Sequence, residues 1–155
     1  IDEGLNLSYK IPVGWDKMSA NLTGKMVGRI SKHGEDEFII YTPISFYFNK
    51  DNNSLLRIGT IHLKDNISND FITAQQYSQL FKKYNREMKI ENVELTNNGR
   101  KILQMKITKN GLMTLKYLFA NHQNELLQFD YSIKSENYSK EYPTIVASIN
   151  SIELL

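Results

Sequence analysis

The chain has 155 residues, 41% of them hydrophobic, with nine tyrosines and seven phenylalanines beside a single tryptophan. That length and composition exclude disorder and imply one folded domain over 1–155. A net charge of +2 supplies no global attraction to nucleic acid, and the absence of cysteine excludes disulfide frameworks, thiolate zinc sites and cysteine nucleophiles.

From the N-terminus, Leu5, Leu7, Tyr9 and Ile11 alternate as a strand and run into a turn at Pro12-Val13-Gly14-Trp15. Proline fixes its own φ, Gly14 supplies the positive φ of a tight turn, and Trp15 gains a fixed place to be buried. From Trp15 to Ile30 the pattern is ambiguous, because Gly24 and Gly28 interrupt it. His33-Gly34-Glu35-Asp36-Glu37 reads as a turn, and Phe38 to Tyr41 as a strand that Pro43 ends or bends. Ile44, Phe46 and Phe48 alternate with Ser45, Tyr47 and Asn49 as a further strand or its continuation. After the polar loop Lys50–Ser54, a strand returns from Leu55 to Leu63 with Gly59 at a bulge.

The period then changes. Ala74, Tyr77, Leu80, Phe81 and Tyr84 recur at helical spacing behind a Thr73-x-x-Gln76 capping box, so the helix should bury Tyr77, Leu80, Phe81 and Tyr84. Lys82, Lys83 and Arg86 sit where the helix dipole favours cations. Four strands follow, Met88–Leu95, Ile102–Thr108, Met113–Ala120 and Leu126–Ile133, separated by Asn98-Gly99, Asn110-Gly111 and His122-Gln123-Asn124. Both Asn-Gly pairs tolerate the positive φ of a type I′ turn, which predicts an antiparallel meander. Tyr142, Ile145, Val146 and Ile149 define a late helix with Pro143 in its first turn, and Ile152 with Leu154 closes the chain as a short strand. The order predicts an α+β fold, an antiparallel β-sheet flanked by helices, with no βαβ nucleotide-binding unit.

The Tyr9–Trp15 opening, the central helix, the meander and the late helix together resemble the PsbP-like superfamily, which includes Ran-binding proteins of the Mog type and bacterial lipoproteins. The resemblance covers most of the chain in layout and about seven residues in motif. It implies an αβα sandwich and a binding or assembly role without catalysis, and it carries over no site residue. Thr96-Asn97-Asn98-Gly99-Arg100 stands where the photosystem members would have a glycine-rich aromatic pattern, which argues against a photosynthetic role.

The chain begins at Ile1 without methionine, which is read as a segment removed at a cloning boundary, a signal peptide or a lipoprotein leader. No apolar run approaches the roughly 20 residues of a membrane helix, so membrane attachment is expected only through such an N-terminal anchor. The expected place is a bacterial cell envelope or the extracellular space, with lipid anchoring as one route.

Among candidate reactive groups, His33, His62 and His122 lack partners at ligand spacing, so no metal and no cofactor are expected. No serine-hydrolase elbow, phosphate-cradling loop or dinucleotide fingerprint occurs, and catalytic residues are expected to be none. Glu91 and Glu94 would need a desolvated cleft to act as an acid–base pair. Tyr41, Phe46, Phe48, Tyr117, Phe119, Phe129 and Tyr131 read as core, whereas Tyr47 alternates out of phase with its neighbours and reads as an exposed interface anchor.

Lys82 to Lys116 is strongly basic, with Arg100, Lys106 and Lys116 among nine cations against Glu87, Glu91 and Glu94. With Leu103, Met105 and Ile107 inward and Leu115, Tyr117 and Phe119 inward, Lys106 and Lys116 are expected to share one outer basic surface. Tyr47, Arg100, Lys106 and Lys116 are thus the candidate partner-binding residues, for an acidic protein partner or an anionic membrane surface. The expected function is a non-catalytic binding domain of an envelope protein. The alternatives are a small-ligand carrier or enzyme with a pocket between sheet and helix, and a cytosolic adaptor of the Mog type.

Overall fold

The computed structural model describes residues 5–33, 39–63 and 72–155. The expected turn over Gly34–Glu37 and the strand residue Phe38 lie outside the described residues, as does the side chain of His33.

Leu5 and Leu7 are fully buried, but the opening strand is short, β1 Leu7–Ser8, because Asn6 takes a positive φ of 52°. Trp15 N–H donates to the Pro12 carbonyl at 3.1 Å, Gly14 stands at φ 83°, and Trp15 packs edge-on against Tyr131. After β2 (Asp16–Lys17), the stretch that reads ambiguously in sequence is a helix, α1, Ala20–His33. Ser19 Oγ accepts from Leu22 N–H at its start, and a Cβ on Gly24 or Gly28 would meet nothing within 4 Å, so the two glycines weaken the helix without breaking it.

β3 (Ile39–Asn49) is one continuous strand paired antiparallel with β4 (Ser54–Leu63). The irregularity expected at Gly59 is found there in the ladder: Pro43 pairs with Gly59 and Ser45 with Ile58, so the extra residue, Ile44, lies on β3 beside a proline that offers no N–H. Gly59 also makes room for its neighbours, since a Cβ there would stand 2.4 Å from the Thr42 carbonyl and 2.6 Å from the Tyr41 ring.

α2 (Ala74–Tyr84) opens on the full capping box, Gln76 N–H to Thr73 Oγ1 at 3.1 Å and Thr73 N–H to Gln76 Oε1 at 2.9 Å. Tyr77 is buried and Leu80 and Phe81 are partly buried as expected, but Tyr84 is 44% exposed, so the last turn carries it clear of the sheet. The meander appears as β5 (Lys89–Asn97), β6 (Arg100–Lys109), β7 (Leu112–Ala120) and β8 (Leu126–Lys134). Asn98, Gly99, Asn110 and Gly111 all have positive φ, the geometry of type I′ turns. A 3₁₀ turn, Ser135–Asn137, leads into α3 (Tyr138–Asn150), which begins earlier than expected and places Pro143 in its second turn.

The main sheet has the order β2-β3-β4-β8-β7-β6-β5, all neighbours antiparallel. β1 pairs separately with β9 (Glu153–Leu154). α2 covers one face over Leu103, Met105, Ile107 and Leu118; α3 covers the other over Leu115, Tyr117, Phe129, Tyr131 and Ile133. This is the α+β, αβα layering that the element order predicts.

Candidate functional site

Residues directly opposite in an antiparallel ladder project to the same face. The register therefore draws one row across six strands on the α2 face: Phe46, Arg57, Asp130, Lys116, Met105 and Asn92. Its middle is charged. Asp130 Oδ2 accepts from Lys116 Nζ at 2.9 Å, Arg57 Nη2 at 3.2 Å and Gln128 Nε2 at 2.7 Å. The Asp130 and Lys116 side chains are 1% and 6% exposed, whereas Arg57 keeps 30% and so reaches toward solvent. The Lys116 ammonium also lies 5.5 Å and 5.4 Å from the ring centroids of Tyr77 and Phe81, where the ring quadrupoles favour a cation.

This row forms one end of a cleft of about 410 Å³ beside α2. Arg57, Lys109 and Lys116 give it positive charge; Phe81, Met88, Ile107 and Leu112 give it apolar walls. Lys109 Nζ donates to Glu87 Oε1 at 3.3 Å, and Glu87 is held below the usual carboxylate range by its own backbone N–H first and by Lys109 second.

Next to the row, the bare Gly59 lets the Tyr41 ring lie across β4. Burial pushes the Tyr41 hydroxyl above the ordinary tyrosine range, and the negative charge of Asp130 adds to this. Among the described residues, Tyr41 OH, Arg57 Nε, Gln128 Oε1 and Asp130 Oδ1 are buried with no hydrogen-bond partner. The arrangement can hold an anionic group at Arg57 and Lys109 while apolar matter lies along Met88, Ile107 and Leu112.

The residues singled out in the sequence are placed otherwise. Tyr47 is not an exposed anchor: it is 8% exposed and its hydroxyl meets Tyr9 OH at 2.9 Å on the α3 face. Lys116 is buried in the charged row and does not share a surface with Lys106. Lys116 lies opposite Met105 and Lys106 opposite Leu115, so the two project to opposite faces. The physical reason is that helices cover both faces, so alternation within a strand does not say which side is the outer one. Lys106 Nζ instead stands 4.6 Å from the Tyr138 ring centroid and 3.9 Å from Glu91 Oε2. Arg100 is part-buried with its guanidinium 5.5 Å from the Phe119 centroid, and desolvation lowers its pKa.

Glu91 and Glu94 are exposed and pair with lysines, Glu91 with Lys89 and Lys106, and Glu94 with Lys101, so no desolvated acid pair forms there. Tyr117, Phe119, Phe129 and Tyr131 are core, as read. His62 contacts Thr60 Oγ1 at 2.9 Å, and among the described residues no group of three or more metal-ligating side chains occurs. Sequence reasoning missed Arg57, Tyr41 and Asp130. One signal was present, since Asp130 is the lone charge inside the apolar run Leu126–Ile133.

No family model and no curated protein matches the chain. Its fold is similar to the solution structure of cyanobacterial PsbP from Synechocystis, with a TM-score of 0.60 at 14% identity, covering 99% of this chain and 89% of that one. With this likeness and the sheet layered between α2 and α3, the chain has the PsbP-like fold.

Proposed function

We propose that the chain, as a single domain, is a non-catalytic binding module of a bacterial cell envelope that takes an acidic group of a partner protein into the cleft beside α2. The observation that carries this is the composition of the cleft, with Arg57, Lys109 and Lys116 set against Asp130 and Glu87 beside apolar walls. Asp130 is tied to three donors, which makes it a counter-ion for the row and supports binding over acid–base chemistry. The envelope assignment is part of the proposal and takes its support from the fold shared with the cyanobacterial PsbP. No helix among the described residues is long and apolar enough to cross a membrane.

The test is an NMR titration of the isotope-labelled protein with a peptide of alternating leucine and glutamate. Amides of Arg57, Ile107, Leu112 and Thr114 should shift, and Lys109→Glu should weaken the effect. An unchanged spectrum across β4 and β7 would overturn the reading. A small-ligand carrier is the second reading, because the cleft volume falls within the roughly 300–1,000 Å³ usual for ligand sites. A co-purifying small molecule, identified by mass spectrometry and displaced by Arg57→Ala, would favour it.

A further inference from the structure

We propose that α1 is an interfacial helix that rests against anionic lipid headgroups, a binding surface separate from the cleft. From Lys17 to His33 the sequence contains no aspartate or glutamate, while Lys17, Lys25 and Arg29 are all exposed. At 100° per residue, Leu22, Met26, Thr23 and Val27 fall on one arc of the helix, with Lys25 and Arg29 beside Leu22 on the flank. Leu22 is 48% exposed, and Thr23, Met26 and Val27 are half-buried, each keeping part of its surface although α1 touches β3. A Cβ at Gly24 or Gly28 would meet nothing within 4 Å, so the helix is open to its surroundings on that side.

An amphipathic helix whose charged residues are all basic and whose apolar arc stays partly exposed has the pattern of a membrane-surface element. Charge selects an anionic occupant. Lipid headgroups suit it better than an acidic protein, because mobile headgroups can gather at Lys17, Lys25 and Arg29 without a partner surface built to match their spacing, and Leu22 can enter the acyl boundary between them.

The test is flotation of the whole protein with vesicles of phosphatidylcholine alone and of phosphatidylcholine mixed with phosphatidylglycerol. The protein should float only with the mixed vesicles, and should release at about 1 M salt, where the Debye length falls to about 3 Å. Lys25→Glu with Arg29→Glu should reduce binding at least about tenfold, as expected when two of the cations near an anionic surface are reversed. Leu22→Ser should also weaken it, with an unchanged urea midpoint showing that each variant is folded. The cleft variant Lys109→Glu should float like the natural protein, which separates this proposal from the cleft reading. Equal flotation with neutral vesicles, full binding by the charge-reversed variant, or capture of poly-glutamate without vesicle binding would overturn the proposal.

Discussion

Lys116 and Asp130 face each other across the β7–β8 ladder with Nζ and Oδ2 2.9 Å apart, and both side chains are almost wholly withdrawn from water. Losing one partner leaves a buried charge uncompensated, which costs about 3–5 kcal/mol, whereas replacing both with apolar residues costs far less. Asp130→Asn is therefore expected to lower stability by that amount in urea unfolding. Lys116→Met with Asp130→Leu should recover most of the loss, because Arg57 is exposed enough to turn to solvent. A double-variant loss equal to the sum of the losses in Asp130→Leu and Lys116→Met alone would show that the two groups are not coupled.

Gly59 and Gly24 should respond in opposite directions to alanine. At Gly59 the new methyl would press on the Thr42 carbonyl and the Tyr41 ring, and displacing packed backbone of this kind costs about 1–3 kcal/mol. At Gly24 nothing is in the way and the residue is helical, so alanine should stabilise by about 0.4–1 kcal/mol. Denaturant midpoints of the two variants moving the same way would contradict this.

The buried tyrosines set an alkaline limit. Tyr41, Tyr117 and Tyr131 are all pushed above the ordinary tyrosine range, chiefly by burial, with the Tyr131–Ser148 hydrogen bond opposing it. In the unfolded chain they ionise near pH ~10, so the folded state keeps protons that the unfolded state releases. Their contribution is fully present below that pH and falls as pH rises beyond it, by up to about 1.4 kcal/mol per pH unit for each tyrosine. A cooperative unfolding step should therefore accompany tyrosinate absorbance. Tyr117→Phe should move that step upward at little cost at neutral pH, since the Tyr117 hydroxyl is buried without a hydrogen-bond partner among the described residues. An unmoved midpoint would show that Tyr117 titrates normally.

Removing the α2 cap with Thr73→Ala should cost about 1 kcal/mol, since the Oγ1 that accepts from Gln76 N–H is lost while the Thr73 backbone N–H still reaches Gln76 Oε1. Lys82→Ala, on an exposed turn, is the control, and equal midpoints would place the helix start elsewhere.

What was legible in the sequence is what local chemistry determines. Asn98-Gly99 and Asn110-Gly111 carry their turn type in two residues, and Thr73 with Gln76 carries a helix start in four. α1 was hidden because its two glycines disturb a pattern that only structure shows to be continuous. The candidate site was hidden for a different reason. Arg57, Lys116 and Asp130 come together only through the register of β4, β8 and β7, and period-two alternation does not say which side is outward when helices cover both. Tyr47 and Lys116 were misplaced by that ambiguity.

The β1–β9 pair has a mechanical consequence. Leu7 lies opposite Leu154, Ser8 opposite Glu153, and Leu155 N–H donates to the Asn6 carbonyl at 2.9 Å, so the two chain ends leave this small ladder side by side. A force drawing those ends apart loads the hydrogen bonds one after another, peeling the ladder open. The clasp therefore yields at low tension while the seven-stranded sheet, held by its own longer ladders, keeps its shape.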